Sequence, residues 1–332
     1  MGAGGPAEAR AAGQAAPRVD VGAAPDAPAG QGEQTARLYA LLHAGNQGDL
    51  AFYRDVCRGA ATALELGCGA GRILAPLAAD GVEVTGLDND PARLAFARRA
   101  LQGPRGGAGA TLVVGDMRDF ALGRRFDRVL IPFNGLFALG SVEAMGACLR
   151  AARRHLAGDG ILAFDVYRVD EQDYLDEEPW ESDFEPVTTL MWRGQAVSVD
   201  ERNAGDGTPG HVHVSYRVNL PEGPVVQHVV HRFAPWSVIE DLVRAAGFGG
   251  VEARGGFDGA PLDETSSQVV VLATVEDPDG DRARRAAGRL AAGAACQPAR
   301  GLGVRRRLLG DAAEGASDGG LVAAKAGAAR AG

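Results

Sequence analysis

The chain has 332 residues, of which 46% are hydrophobic, and its formal net charge at pH 7 is −9. This length suits one large or two modest domains, and the apolar content suits a globular core. The negative charge argues against a nucleic-acid-binding protein, which would more often carry a basic face on its folded domain.

The two ends differ in composition from the middle of the chain. Residues 1–34 are mostly Ala, Gly, Pro, Gln and Glu, and residues 277–332 are mostly Ala, Gly, Arg and Asp. Neither segment has enough large apolar residues to offset the entropy of ordering it, so both are predicted to be disordered. The folded domain is therefore expected at 35–276.

Cysteine spacing and hydropathy indicate a protein of a reducing compartment. The four cysteines show no C-x-x-C spacing, no apolar leader precedes them, and no apolar run approaches the roughly 18 residues that a membrane span needs. We therefore expect a cytoplasmic protein without membrane contact.

The first part of the domain alternates helices with nearly continuous apolar strands. This rhythm predicts a doubly wound, Rossmann-like α/β fold, with a parallel sheet covered on both faces. The predicted elements are helices at 35–42 and 50–56, strand 63–66, helix 73–79, strand 82–87, helix 91–101, strands 111–114 and 126–133, helix 141–156 and strand 161–166.

The rhythm then changes to a period of two over 187–233, which predicts an antiparallel β-meander within an insertion at about 168–233. A helix from Pro235 and strands at 251–253 and 268–273 follow, which brings the main sheet to seven strands. We expect the insertion to lie on the substrate side of the domain.

A glycine turn after the first strand is the most informative motif. Glycines stand at 67, 69 and 71, behind an acid at Glu65, and Arg72 occupies the place where a dinucleotide fingerprint needs a third glycine or alanine. Glycine has no Cβ and tolerates positive φ, so a ligand could lie against this main chain. The alternative is that the glycines only allow close packing of strand and helix.

Acidic residues follow the next two strands. Asp88 ends the second strand, where it could accept hydrogen bonds from both hydroxyls of a ribose; the alternative is a cap at the helix start Asn89-Asp90-Pro91. Asp116 follows the third strand, and its alternative role is that of a turn residue before Phe120.

The G-x-G-x-G turn behind Glu65 resembles motif I of the class I S-adenosylmethionine-dependent methyltransferases. The segment 115–120 is similar to that of small-molecule methyltransferases, such as antibiotic sugar N,N-dimethyltransferases. The resemblance implies S-adenosyl-L-methionine as co-substrate, no metal, and in-line transfer of a methyl group to an N or O nucleophile of a small molecule.

The resemblance also implies roles for individual residues. Gly67 and Gly69 would let the methionine part pass, with Glu65 near its ammonium group, and Asp116 would hold the adenine amino group. Cys68 would be a small apolar filler. The expected cofactor-binding residues are Tyr39, Glu65, Gly67, Cys68, Gly69, Gly71, Asp88, Asn89, Asp116, Met117 and Phe133.

The fourth strand ends in Phe133-Asn134, at the edge of the sheet where ligands bind in such folds. In the family this position faces the sulfonium and the acceptor, but Ile131-Pro132-Phe133-Asn134-Gly135 does not match the N/D-P-P-Y/F motif of adenine methyltransferases. No catalytic residue is assigned. His228, His231 and Asn134 are candidates, and a structural role stays open for each.

The sequence also bears on metal binding, on partners and on alternative functions. His211 and His213 share one strand face, but no third ligand is evident, so no metal site is expected. The expected partner is a small-molecule acceptor and not a nucleic acid, and a homodimer is left open. The alternatives are a protein or RNA methyltransferase and a non-catalytic S-adenosylmethionine-binding protein.

Overall fold

The computed structural model describes residues 31–103, 109–174 and 178–275. Of the segments predicted to be disordered, residues 1–30 and all of 277–332 lie outside these described residues. The first helix begins at Gln31, four residues before the predicted start, so the domain boundary predicted at residue 35 falls inside a helix.

Twelve strands form the described part of the fold. They are β1 (Thr62–Leu66), β2 (Glu83–Asp88), β3 (Ala110–Val114), β4 (Phe126–Ile131), β5 (Leu156–Tyr167), β6 (Trp180–Glu181), β7 (Glu185–Trp192), β8 (Gln195–Gly205), β9 (His211–Leu220), β10 (Gly223–Arg232), β11 (Gly250–Arg254) and β12 (Gln268–Thr274).

Seven of these strands form the main sheet, in the order β3-β2-β1-β4-β5-β12-β11. Strands β1 to β5 pair in parallel, and β12 runs antiparallel to both of its neighbours. The order reverses between β1 and β4, so ligands are expected at the carboxyl ends of these two strands. The predicted seven-stranded, Rossmann-like sheet is confirmed.

Six of the seven described α-helices lie close to their predicted positions, and the short helix α6 was not predicted. The seven are α1 (Gln31–Leu42), α2 (Asp49–Val56), α3 (Leu74–Ala79), α4 (Pro91–Gln102), α5 (Val142–His155), α6 (Glu171–Tyr174) and α7 (Trp236–Ala245). The start of α4 shows how local residues set a helix boundary. Asp90 Oδ1 accepts hydrogen bonds from the N–H groups of Ala92 and Arg93, at 2.8 and 3.4 Å. Pro91 takes the first helical position.

The predicted meander is also present between β5 and α7. Strands β7, β8, β9 and β10 pair antiparallel in chain order, and the two-residue strand β6 pairs with the end of β8. One face of the meander packs on α1, where Leu38 and Leu42 contact a cluster that includes Trp192, Val199 and Val218. Helix α1 is therefore held in place by the insertion.

The meander is also anchored to the main sheet. Phe233, just after β10, packs edge to face against Phe137 in the 3-10 turn that follows β4, with ring centroids 5.2 Å apart. Val212 and Val214 of β9 belong to the same buried cluster as the interior of the main sheet. This contact places β10, an edge strand, beside the carboxyl end of β4.

The domain boundary can be tested with a shortened protein. We propose that residues 31–275 fold alone, because residues 1–30 and 276–332 have few large apolar side chains that could add to a core. Its melting temperature should lie within about 2 °C of the full chain, a difference below roughly 1 kcal/mol. A protein starting at residue 44, which lacks Leu38 and Leu42, should melt clearly lower in the same calorimetric measurement. Equal melting of these two shortened proteins would contradict the packing role of α1.

Candidate active site

The turn between β1 and α3 contains three left-handed glycines. Gly67, Gly69 and Gly71 have φ values of 71°, 52° and 81°. A Cβ on Gly71 would lie 3.1 Å from Ala97 of α4, so this glycine serves helix packing. A Cβ on Gly67 or Gly69 would have no neighbour closer than 3.8 Å, so the space above these two stays open. The packing alternative therefore explains Gly71 but not the other two.

Cys68 fills the space between the turn and β2. Its side chain is buried, and a Cβ on Gly86 would lie only 2.7 Å from its Sγ. Burial raises the pKa of the Cys68 thiol well above its usual value, so the thiol stays protonated. Both observations agree with the predicted filler role.

Glu65 is a buried carboxyl group at the end of β1. Burial raises its pKa to about 8, although the nearby Arg72 guanidinium opposes this shift. Its Oε2 atom is buried and has no hydrogen-bond partner. Such an unsatisfied group is costly in a folded protein, and a bound ammonium group would satisfy it.

Asp88 ties the ends of β1 and β2 together. Its Oδ2 accepts a hydrogen bond from the N–H of Gly69 at 2.8 Å, and its Oδ1 accepts one from the N–H of Asp90 at 2.9 Å. A carboxylate has about four acceptor positions, so each oxygen can still accept a bond from a ligand hydroxyl. The carboxylate thus stabilises both the glycine turn and the entry into α4.

Asp116 and Met117 follow β3 and line the same cavity. The Asp116 side chain is 42% exposed and pairs with Arg118, whose Nε lies 2.9 Å from both carboxylate oxygens. This hydrogen bonding lowers the pKa of Asp116. The Sδ atom of Met117 lies 3.9 Å from the position of a Cβ on Gly67, which places Met117 beside the glycine turn.

The segment after β4 is held in an unusual backbone conformation. Phe133 and Asn134 have φ values of 55° and 58°, which bulky residues such as Phe rarely adopt. The N–H of Phe133 donates to Asp165 Oδ1 at 2.8 Å, and Asn134 Oδ1 accepts from the N–H of Tyr167 at 2.6 Å. The hydroxyl of Tyr53 donates to the same Asp165 oxygen at 2.5 Å. Buried polar contacts with β5 therefore fix this segment.

These groups surround a cavity of about 510 Å³ between the carboxyl edge of the main sheet, α1 and β10. Of the eleven residues predicted to bind a cofactor, all but Gly71 line this cavity. The further lining residues include His43, Arg72, Arg93, Arg118, Tyr167, Tyr216, His228, Val229, Val230 and His231. Strands β9 and β10 of the meander thus border the cavity; that the meander covers an acceptor molecule stays a prediction.

Comparison with known proteins shows which family the chain belongs to. A family model described as a methyltransferase domain matches residues 63–160. A dTDP-3-amino-3,6-dideoxy-alpha-D-glucopyranose N,N-dimethyltransferase from Streptomyces fradiae is 30% identical over 251 residues, which cover 69% of this chain and 91% of that protein. The chain belongs to the class I S-adenosylmethionine-dependent methyltransferases.

Two further comparisons agree. A dTDP-3-amino-3,4,6-trideoxy-alpha-D-glucopyranose N,N-dimethyltransferase from Streptomyces venezuelae is 28% identical over 212 residues, which cover 61% of this chain and 84% of that protein. The CcbJ methyltransferase from Streptomyces caelestis shares the fold, with a TM-score of 0.59 at 24% identity over 70% of this chain and 98% of that chain. The predicted family and enzyme class are confirmed.

The candidate catalytic residues of this methyltransferase differ in their surroundings. Asn134 is buried and its amide oxygen is engaged by β5. His228 is exposed and its Nδ1 lies 3.0 Å from Ser215 Oγ. His231 lies on the opposite face of β10, burial lowers its pKa to about 4, and its Nδ1 has no partner. Both histidines line the cavity because β10 is an edge strand.

Three cavity residues of the methyltransferase were not singled out from the sequence. Arg72 pairs with the buried Asp49 at 2.8 Å and lies over the ring of Phe133, 5.7 Å from its centroid. Arg93 lies 3.8 Å from the ring centroid of Tyr39. His43 stacks on Tyr39. Two signals existed: Arg72 replaces the glycine of a dinucleotide motif, and His43 stands four residues after Tyr39, directly after the helix predicted at 35–42.

The described residues were also compared with what a metal site and a membrane-spanning helix require. They contain no group of three or more His, Cys, Asp or Glu side chains arranged to hold a metal ion. His211 and His213 instead lie 3.7 and 3.5 Å from Asp206. Within the same ranges, no helix has the length and apolar character needed to cross a bilayer.

Replacing Glu65 should change how stability depends on pH. Burial raises its folded-state pKa from 4.5 to about 8, so its stabilising contribution is complete below the unfolded pKa and is lost as the pH rises through about 8. The free energy of unfolding of the ligand-free enzyme should therefore fall between about pH 4.5 and pH 8, and level off above that. Glu65→Gln should flatten that slope in urea titrations, whereas Glu83→Gln, at an exposed position, should not.

Removing the Tyr53 hydroxyl should destabilise the segment after β4. Tyr53→Phe leaves the buried Asp165 with one donor fewer, which should cost about 1–3 kcal/mol in urea unfolding. Tyr174→Phe is the control, because the Tyr174 hydroxyl has only a 3.4 Å contact with Arg232. Equal losses for the two variants would refute a supporting role for the Tyr53–Asp165 bond.

Proposed function

We propose that this enzyme methylates the amino group of a small amino sugar. The observation that carries the proposal is that the meander lines the cavity without a carboxylate. The described side chains that reach the cavity from β9 and β10 are Tyr216, His228, Val229, Val230 and His231. Phenol and imidazole groups suit the hydroxyls of a sugar, and no carboxylate among them would hold the acceptor amine in its cationic form.

The acid–base properties of this region favour an amine over a hydroxyl acceptor. Burial lowers the pKa of both His43 and His231 to about 4, so both are weak bases. A sugar hydroxyl would need a strong base during transfer, whereas an unprotonated amine needs none. The names of the two Streptomyces relatives, both amino-sugar N,N-dimethyltransferases, support the same class of acceptor.

The residues at the other end of the cavity fit S-adenosylmethionine. The unpartnered Glu65 Oε2 fits its ammonium group, Arg72 fits its carboxylate, and the open backbone at Gly67 and Gly69 leaves room for the chain between them. We assign the ribose hydroxyls to Asp88, and the adenine to Asp116 and Met117. When bound, this co-substrate supplies a methyl group on an already electrophilic sulfonium.

The protein's own contribution is alignment and exclusion of water. Phe133, Tyr167 and Tyr216 line the cavity, and their rings would leave little room for water beside bound reactants. A cavity of about 510 Å³ is typical of small-molecule sites, which supports a small acceptor over a nucleic acid. That transfer needs no metal stays a prediction.

The activity can be tested directly. The full chain with S-adenosylmethionine and dTDP-3-amino-3,6-dideoxy-α-D-glucopyranose should yield products carrying one and two added methyl groups in mass spectrometry. The matched nucleotide sugar with a hydroxyl at position 3 should remain unmodified. Methylation of this hydroxyl sugar would contradict the proposal, and so would an unmodified amino sugar in the presence of an enzyme that binds S-adenosylhomocysteine.

Cofactor binding should release a proton from Glu65. At pH 7 a group with a pKa of about 8 is mostly protonated, and an ammonium group beside it favours the carboxylate. Calorimetric titration with S-adenosylhomocysteine in buffers of different ionisation enthalpy should therefore show release of close to one proton, and Glu65→Gln should abolish it. Proton release that persists in this variant would remove Glu65 from the ammonium site.

A further inference from the structure

The turn that ends α1 places a histidine between the two ends of the cavity. The ring of His43 stacks on Tyr39, with centroids 3.7 Å apart and planes 19° apart. It lies edge to face with Phe133 at 5.7 Å and with Tyr216 at 6.5 Å. His43 therefore sits between the segment after β4 and the meander, where cofactor and acceptor would meet.

The hydrogen bonding of His43 determines which ring nitrogen carries the proton. Its Nδ1 lies 2.9 Å from the carbonyl oxygen of Tyr39. A carbonyl oxygen can only accept, so Nδ1 must carry the hydrogen. In the neutral ring, Nε2 then has a free lone pair and acts as an acceptor. Stacking on Tyr39 holds the plane of the ring.

We propose that Nε2 of His43 accepts a hydrogen bond from the N–H of the acceptor amine and thereby points the nitrogen lone pair at the methyl group. This rests on the proposed function, because only an amine acceptor brings such a donor. His43 is then a catalytic residue that touches the reacting nitrogen, and Tyr39 is a residue that positions it.

The hydrogen bond from the acceptor N–H to Nε2 of His43 stabilises the transition state more than the ground state. As the nitrogen–carbon bond forms and the carbon–sulfur bond breaks, the electron pair of the latter stays on sulfur and the nitrogen gains positive charge. Its N–H becomes a stronger donor, so the bond to Nε2 strengthens during transfer. The proton stays on the methylated nitrogen until the product reaches water, so His43 accepts a hydrogen bond and does not remove the proton.

The groups around His43 keep its ring neutral. Burial is the main cause that lowers its pKa to about 4. Arg93 of α4, His231 of β10 and Arg72 of the glycine turn contribute to this shift, and the hydrogen bond to Tyr39 opposes it. The phenol of Tyr216 is the remaining polar neighbour from β9. The imidazole is therefore available as an acceptor throughout the neutral pH range.

The experiment compares His43→Phe, which keeps a stacking ring without an acceptor, with His43→Gln, which restores an acceptor oxygen. His213→Phe is the matched control, because His213 is exposed on the meander outside the cavity. The probe is dTDP-3-amino-3,6-dideoxy-α-D-glucopyranose. His43→Phe should lower kcat by about 10- to 100-fold, the range for one hydrogen bond to a developing charge, and His43→Gln should recover part of this loss.

Two further readouts separate this role from others. The affinity for S-adenosylhomocysteine should stay within about twofold of wild type in His43→Phe, less than ~0.5 kcal/mol; a large loss would place His43 on the cofactor and overturn the proposal. Above about pH 6, where the His43 ring is neutral, the pH profile of kcat/KM should keep its shape in the variant; an acidic limb in that range that disappears in the variant would show that His43 removes a proton and would also overturn the proposal. Unchanged kcat in His43→Phe would do the same.

A final measurement does not depend on the probe. Nitrogen NMR of the full chain should find the His43 proton on Nδ1, and a proton on Nε2 would overturn the proposal. If the wild-type enzyme leaves the probe unmodified, the proposed function fails on that result, while the NMR result still decides whether His43 offers an acceptor to the cavity.

Discussion

The backbone conformation at the carboxyl edge of the main sheet depends on hydrogen bonds that two buried carboxylates accept from backbone N–H groups. Asp88 at the end of β2 accepts from the N–H of Gly69, and Asp165 in β5 accepts from the N–H of Phe133. Both donors have positive φ and stand in the turns after β1 and β4, the two strands between which the sheet order reverses. Each buried carboxylate thus holds the turn after the neighbouring strand. Without such donors, burial of these charges would be too costly.

This constraint also forms the cavity. A turn held by a carboxylate behind it exposes its backbone on the other side, as at Gly67 and Gly69, where the space for a ligand stays open. The same principle keeps Phe133 in a conformation that costs on the order of 1–3 kcal/mol. Two backbone segments are therefore fixed in advance of any ligand, at the place where the methyl group would be transferred.

Helix α1 and the meander complete the site from the other side. They share one apolar cluster, in which Leu38 and Leu42 of the helix meet Trp192 and Val199 of the meander. Gln227 of β10 adds a hydrogen bond to the carbonyl oxygen of Thr35 at 2.9 Å. The residues that α1 brings to the cavity, Tyr39 and His43, thus owe their placement to an insertion more than a hundred residues further along the chain.

Local pattern in the sequence determined the order and type of most elements, the seven-stranded sheet, the meander and the family of this enzyme. Glycine spacing, strand-end acids and hydrophobic periodicity are local properties, and a family resemblance can be recognised from them. Only the tertiary structure decided which polar groups share the cavity. Arg72, Arg93 and His43 come from separate elements, and Asn134 and Tyr53 support the backbone after β4 through contacts with β5. The physical reason is that burial, hydrogen-bond partners and pKa depend on neighbours distant in sequence, which periodicity and spacing do not encode.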